Sequence, residues 1–439
     1  MSEAPEALRV AYVMSRFPKL TETFILAELE AMDRAGVAIE LYPLLRQTGE
    51  PVQPAAVRWV ERAHYLPFLS PAILRAQWSF LRERRRRRRY LQAFFDMLRG
   101  TWRSPNFLLG GIGIFPKVAR AAVDMEASGV DHVHCHFANH PALAGWLIHR
   151  LVGIPYSFTA HGSDLHVDRT MLPAKVREAA FVVTISSDNR SVIETSAGAA
   201  ADGKVEVIHC GVDPAAFAPS VRDPRGPLRI VAVGTLHEVK GQIHLIEACR
   251  RLAERGVAVT CRFIGDGPDR DALQARIDAY GLTDTVTLAG RMTTDAVAAE
   301  LAAADVLVAP SVPTSGGKRE GIPVVLMEAM ATGLPVVASR LSGIPELVTD
   351  GVSGLLVPPG DDAALADALA SLAADPERRT RLGAAGRETV LRDFDVDRNA
   401  AALADRIRRS LGRPGGADAS ADTRAAGSTS STLASDPAA

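Results

Sequence analysis

The sequence predicts an α/β protein of two doubly wound, parallel-sheet domains that face one another across a cleft. Three observations predict it. Short apolar runs alternate with amphipathic helical patterns from residue 8 to about 210. A stretch rich in Pro, Asp, Arg and Gly interrupts them at 214–227. The same alternation restarts at 228. Open parallel sheets bind ligands beyond the carboxyl ends of their strands, so two in series direct those ends into one gap.

The elements follow in order. Leu8–Ser15 reads as a buried strand, 16–22 as a loop, and Thr23 to about Ala35 as a helix that Gly36 stops before a strand at Val37–Leu45. Further strands are expected at 131–137, 155–160, 181–185 and 205–208, with helices at about 116–128, 141–151 and 187–196. In the second half, strands are expected at 228–234, 257–264, 285–289, 305–309 and 335–338. Helices at 241–254, 269–279, 294–303, 323–331 and 361–373 alternate with them, and two more follow at 376–389 and 395–411. The resulting division is a first domain at 1–213 with a basic helical insertion at about 71–103, a linker at 214–227, a second domain at 228–390, and a closing helix at 391–412. Residues 413–439 are Gly, Ala, Ser, Thr, Asp and Pro with almost no apolar bulk, the composition of a disordered tail.

Bulk properties narrow the function. The 439 residues are 47% hydrophobic and 23% charged, a globular composition, and the net charge of −1 argues against a dedicated nucleic-acid binder. Cys135, Cys210, Cys249 and Cys261 show no paired spacing, so neither a disulfide framework nor a thiolate metal site is expected. The opening Met-Ser-Glu-Ala-Pro-Glu lacks the basic and apolar regions of a leader, and no run of about 18 apolar residues occurs. A cytoplasmic protein is expected.

The segment from Arg319 to Ala338 carries the sharpest chemical signal. Pro323 suits the first position of a helix, which leaves Glu320 and Gly321 in the preceding loop and Glu328 more than one turn inside. A helix N-terminus offers free N–H groups and a positive dipole end, a seat for a diphosphate, and Gly321 permits close backbone approach. Carboxylates in the loop and on the helix are then placed to bond hydroxyls at the two ends of a nucleotide-sugar. These residues resemble the paired-glutamate motif of the family-4 retaining glycosyltransferases, with its Glu-Gly-aliphatic-Pro opening and its Met-Glu-Ala-Met-Ala continuation. The resemblance extends from about residue 8 to 411. It implies the GT-B fold, two Rossmann-like domains facing a cleft, with Glu320 at the donor sugar and Glu328 at the ribose hydroxyls.

Other segments resemble the same family. Gly234-Thr235-Leu236, followed by Lys240-Gly241, matches its Gly-Arg-Leu and Lys-Gly pattern, whose two cations grip the diphosphate, except that Thr235 replaces the usual Arg. Either Arg319 or Lys318 substitutes for it, or the donor binds more weakly. His161-Gly162-Ser163-Asp164 ends a first-domain strand and resembles the segment whose histidine faces the transferred sugar. Phe17-Pro18-Lys19-Leu20-Thr21-Glu22-Thr23-Phe24 resembles the opening of bacterial exopolysaccharide transferases of the colanic-acid type. The resemblance therefore implies catalytic roles for Glu320, His161 and Lys240. It implies donor contacts from Gly234, Thr235, Lys240, Arg319, Gly321, Ile322, Pro323 and Glu328. On the acceptor side it implies Lys19, Thr21, Glu22, His136, Gly162 and Asp164.

His132, His134 and His136 alternate along a strand and so share one face, an arrangement that also suits zinc. The family shows a similar strand end on its acceptor side and grips its donor with amides and cations, so no metal and no cofactor beyond the nucleotide-sugar co-substrate is expected. Gly110-Gly111-Ile112-Gly113 has no preceding strand and is a weak dinucleotide signal.

Arg84–Arg89 are six consecutive arginines, preceded by Trp78, Phe80 and Leu81 and followed at helical spacing by Leu91, Phe94, Phe95, Leu98 and Trp102. Such a segment reads as a membrane-surface helix, a polybasic nucleic-acid patch, or a solvated face whose apolar side packs inward. The expected partners are a nucleoside-diphosphate sugar, a glycan or lipid-linked acceptor, and the inner face of an anionic membrane. Two rival functions fit the same architecture, a GT-B sugar-nucleotide epimerase and a catalytically silent scaffold of a polysaccharide-assembly complex.

Overall fold

The computed structural model describes residues 7–19, 22–49, 52–219 and 226–414. The expected linker is covered only in part, and the expected tail falls outside these residues from 415 onward. The first half supplies strands β1 (Arg9–Phe17), β2 (Ala38–Arg46), β3 (His132–His136), β4 (Tyr156–Ala160), β5 (Phe181–Thr184) and β6 (Val205–Val207). The second supplies β7 (Leu228–Val233), β8 (Val259–Ile264), β9 (Val286–Gly290), β10 (Val306–Ala309), β11 (Val336–Ser339) and β12 (Leu355–Val357). They form two six-stranded sheets in the orders β2-β1-β3-β4-β5-β6 and β12-β11-β10-β7-β8-β9, with every named pair parallel.

Both faces of each sheet are covered. Along β1, Val10, Tyr12 and Met14 enter one apolar cluster while Ala11 and Val13 enter another. Along β7, Ile230 and Ala232 face one cluster and Val231 the other. Period-two side-chain placement with both sides buried is what makes these strands read as continuous apolar runs. Strand order reverses between β1 and β3 in the first sheet and between β7 and β10 in the second. Those switch points are where open α/β sheets take their ligands.

Several elements depart from the sequence reading. The helix expected from 116 begins at Pro105 and runs to Ala127 with Pro116 inside it, because Ser104 caps it by accepting from the Phe107 amide. Gly110–Gly113 therefore lie in a helix and form no phosphate loop. The basic insertion consists of two helices, Pro71–Arg82 and Arg84–Thr101. Strand β12 and the single-turn helix Ile344–Leu347 were not foreseen, being too short to show a period. No helix among the described residues is long and apolar enough to cross a membrane.

The last helix, Val396–Ser410, leaves the second sheet and packs on the first. Val396, Ala400, Leu403, Ala404 and Ile407 join the cluster that holds Ile25, Leu29 and Met32 of the helix Thr23–Arg34. Arg34–Asp397, Arg406–Glu206 and Arg413–Asp131 ion pairs border that contact. At its start Val212 and Asp395 pair as an isolated bridge, so the two chain crossings between the sheets lie side by side. Leu403 is 2% exposed. Leu403→Ala is expected to cost about 3 kcal/mol, read as a shift of the urea transition of the first sheet; a change below about 0.5 kcal/mol would show that the helix does not anchor there.

Candidate active site

A cleft of about 680 Å³ opens between the two switch points. On the second-sheet side, β7 ends at Val233 and Gly234 (φ 151°) turns the chain into a short 3-10 turn at Glu238–Lys240. Lys240 is thereby set on the cleft wall, where its Nζ donates to Glu320 Oε2 at 2.7 Å. Both side chains are largely enclosed, which strengthens the pair relative to a surface ion pair. The loop after β10 carries Lys318, Arg319 and Glu320 to the cleft and feeds the helix Val324–Ala331.

That helix begins one residue later than expected, with Pro323 as its N-cap (φ −61°, ψ 126°) and no side chain capping it. Gly321, Val324 and Val325 line the cleft, so the N-terminal end of the helix opens onto it. Glu328, one turn further in, reaches the same space, and among the described residues no group balances its charge. Packed protein around it raises its carboxyl from the ordinary 4.5 to about 7 by desolvation.

On the first-sheet side, His161 follows β4 and lines the cleft between Phe24 and Phe137, whose ring centroids lie 4.7 Å and 4.8 Å away. Asp164 holds this corner by accepting from the amides of His161 (3.0 Å), Gly162 (2.8 Å) and Ala138 (2.6 Å). Its burial lifts the carboxyl above the ordinary value despite those amides. Gly162 (φ 119°) abuts Gly321, and a Cβ on Gly321 would stand 2.7 Å from the His161 carbonyl oxygen. Two backbones thus meet where a side chain at position 321 would intrude.

Behind His161 runs a buried polar chain. Its Nε2 lies 3.1 Å from His136 Nδ1, and His136 Nε2 lies 3.3 Å from Glu28 Oε1, which also accepts from the Tyr12 hydroxyl at 3.1 Å. Burial, reinforced by His136, drives the His161 pKa well below its ordinary value, so the ring is neutral. Burial pulls the Glu28 carboxyl upward, but His136, His134 and His161 outweigh it and hold it at about 2.

Most of the expected residues converge on the cleft. Gly234, Thr235, Lys240, Arg319, Glu320, Gly321, Ile322, Pro323 and Glu328 line it from one side and Lys19, Glu22 and His161 from the other. Lys19 and Glu22 pair with each other at 2.7 Å. Three expected acceptor-side residues do not line it. His136 is fully buried behind His161, Asp164 is buried as the clamp just described, and Gly162 contributes backbone contact alone. The cause for His136 is its strand: β3 is buried at every position, so His136 meets His161 and Glu28 inside the fold. Thr21 lies outside the described residues.

The histidine row also brings ligand atoms of Glu28, His134 and His136 within 4.8 Å of one another. His134, however, has its Nδ1 at 2.8 Å from Ser157 Oγ and its Nε2 at 2.9 Å from Thr159 Oγ1. Both nitrogens are thus committed to hydroxyls. Sequence reasoning missed Phe24, Phe137 and Arg291 as cleft residues. Arg291 directly follows β9, and the position after a strand's carboxyl end was the available signal.

Comparison with known proteins agrees with this geometry. Residues 216–389 match the family described as glycosyl transferases group 1, and residues 96–216 match glycosyltransferase family 4. A protein of Escherichia coli (strain K12) named for colanic acid biosynthesis as a glycosyltransferase is 44% identical over 205 residues, 46% of this chain and 50% of that one. The 2-deoxystreptamine glucosyltransferase of Streptomyces kanamyceticus is 32% identical over 297 residues, covering 62% and 75%. The chain spans about half the length of the first curated relatives it matches. Among solved structures, Anabaena Alr3699/HepE in complex with UDP superimposes with a TM-score of 0.67 at 17% identity, over 90% of this chain and 98% of that one.

The Glu328 shift has a readable consequence. Its carboxyl binds a proton more tightly folded than unfolded, so the stability this proton confers is complete below pH 4.5 and is lost as pH rises through about 7. In ligand-free protein, Glu328→Gln is expected to remove that part of the fall in melting temperature between about pH 5 and 8. Parallel profiles for the two proteins across this range would show that Glu328 is ionised throughout.

Proposed function

The chain belongs to the glycosyltransferases of group 1 and family 4, and on that premise we propose that it moves a sugar from a nucleoside-diphosphate sugar to a hydroxyl of a glycan or lipid-linked glycan in exopolysaccharide biosynthesis. The observation that carries this reading is the uncapped N-terminus of Val324–Ala331, which opens onto the cleft with Glu320, Glu328 and Lys240 around it. The diphosphate of the donor docks against the amides of that first turn, where the helix dipole favours negative charge. Glu328 accepts from the ribose hydroxyls, and Glu320 accepts from the sugar. A nucleotide donor accords with the UDP in the Anabaena neighbour, and an exopolysaccharide product accords with the relative named for colanic acid biosynthesis.

The chemistry follows from charge. The bond from the anomeric carbon to the diphosphate oxygen breaks, and negative charge grows on the leaving group. The helix end, Lys240, Arg291 and Arg319 are in place to stabilise that charge before it develops. These cations take over the contact that relatives draw from the arginine replaced here by Thr235, and they supply positive charge without requiring a metal ion. The acceptor oxygen attacks from the face the diphosphate leaves, giving retention, and its proton passes to the departing diphosphate oxygen. His161, neutral and wedged between two aromatic rings, shapes the wall against the sugar. Lys19, Glu22 and Phe24 form the acceptor wall.

Glu320→Ala and Lys240→Ala are each expected to lower turnover by about 100-fold or more while circular dichroism and the melting temperature stay near wild type. Wild-type rates in both variants would remove the site assignment. A panel of UDP-, GDP-, ADP- and TDP-sugars screened by thermal shift identifies the donor, since a ligand bound only by the folded state at 100 times its Kd adds about 2.7 kcal/mol. That donor is expected to lose its effect in Glu328→Ala. Release of labelled sugar from the nucleotide then separates transfer from epimerisation.

A further inference from the structure

The insertion helices Pro71–Arg82 and Arg84–Thr101 and the start of Pro105–Ala127 are packed on their inner side. Ile73, Phe80, Ala93, Met97 and Phe107 are all buried there. Phe94 and Leu98 pack against the same core, so two of the aromatic and aliphatic positions that follow the arginines are accounted for. The outer side is different. Leu74, Trp78, Phe95, Trp102 and Leu109 are 62%, 67%, 61%, 63% and 71% exposed. On Arg84–Thr101 and its C-cap, the residues Arg84, Arg88, Leu91, Phe95, Arg99 and Trp102 recur at intervals of three and four, which makes one stripe opposite Ala93 and Met97.

The charges on this face are as unusual as its apolar groups. Arg86 pairs with Glu126, but among the described residues Arg84, Arg85, Arg87, Arg88 and Arg89 have no carboxylate partner. They crowd the first turns of a helix, where the dipole disfavours cations and like charges repel. Among the described residues no ion pair holds these five to the fold, and exposed apolar groups at this density mark an interaction surface.

We propose that the outer face of residues 71–112 docks on an anionic lipid bilayer, with Leu74, Trp78, Leu91, Phe95, Trp102 and Leu109 entering the boundary between headgroups and acyl chains and the unpaired arginines meeting lipid phosphates. Leu74, Leu91 and Leu109 exposed beside arginine and aromatic groups fit that boundary, whereas a nucleic acid would leave these leucines without a partner. Trp78 and Trp102 provide amphipathic rings suited to headgroup depth. The inference goes beyond the transferase reading and stands without it, because vesicle binding is read in the absence of donor and acceptor.

The test uses the full chain with vesicles of phosphatidylcholine alone or with phosphatidylglycerol added. Flotation with the anionic vesicles is expected to exceed that with neutral ones by about tenfold or more and to fall with added salt. Tryptophan emission is expected to shift to the blue on binding, since Trp78 and Trp102 are exposed while Trp59 and Trp146 are buried. A triple variant, Trp78→Ser with Phe95→Ser and Trp102→Ser, and a second with Arg84, Arg85, Arg87, Arg88 and Arg89 changed to Gln, are each expected to lose about tenfold in flotation. Both leave the buried side intact and should melt like wild type. Equal flotation of wild type and either variant overturns the proposal, as does wild-type binding to an RNA oligonucleotide without binding to vesicles. Loss of donor-induced melting shifts with flotation retained would instead count against the transferase reading alone.

Discussion

The arrangement of the cleft depends on one contact between backbones, the approach of Gly321 to the His161 carbonyl and Gly162. Neither loop could come so near with a Cβ at position 321, because 2.7 Å is shorter than a carbon and an oxygen tolerate without displacement. The contact sets the distance between the helix end at Val324 and the histidine corner of the other sheet. It also fixes the loop that carries Glu320, and through the ion pair the direction in which Lys240 points. The corner itself is stiff, since Asp164 gathers three amides from two strand ends. A site assembled from two domains thereby acquires a preset geometry at its centre.

Electrostatics divides the cleft into unlike halves. The second-sheet wall concentrates cations, and its deepest carboxylate, Glu328, is held near neutrality by its surroundings. Hydroxyl donors arriving beside that carboxylate would favour its charged form, so occupancy and ionisation are linked. The first-sheet wall is aromatic, with a neutral imidazole at its centre. Behind it, Glu28 keeps its charge against burial because His136, His134 and His161 lie around it. Buried polar groups are costly without partners, and here the hydroxyls of Ser157 and Thr159 serve His132 and His134, while His136 Nε2 has only Glu28 within ion-pair distance.

Much of this was legible in the sequence for physical reasons. Parallel strands covered on both faces leave unbroken apolar runs, and the strands expected at 181–185 and 305–309 differ from those observed by one residue each. The helix end at Pro323 was legible because proline and glycine announce backbone geometry directly. Other features were not. Alternating histidines on β3 disclose a common face, but which face meets solvent depends on helices far away in sequence. The helix expected from about 116 starts earlier because Ser104 caps it, and buried Phe107, Ile114, Phe115 and Val118 carry it through Pro116. Arg291, Phe24 and Phe137 belong to no periodic pattern and became cleft residues only once the sheets were set face to face. Along Arg84–Thr101, Phe94 and Phe95 are adjacent in sequence and point to opposite environments.

The paired crossings at Val212 and Asp395 have a mechanical outcome. Gly211 presses on the backbone of Val396, and Cys210 beside it lines the floor of the cleft. A door swings least at its pins. Rotation of one lobe about this axis would hardly displace Cys210, and it would have to part Gly321 from the His161 carbonyl before the cleft could widen. Traffic into and out of the cleft would then be governed by the same swing, with the pivot holding the two lobes together.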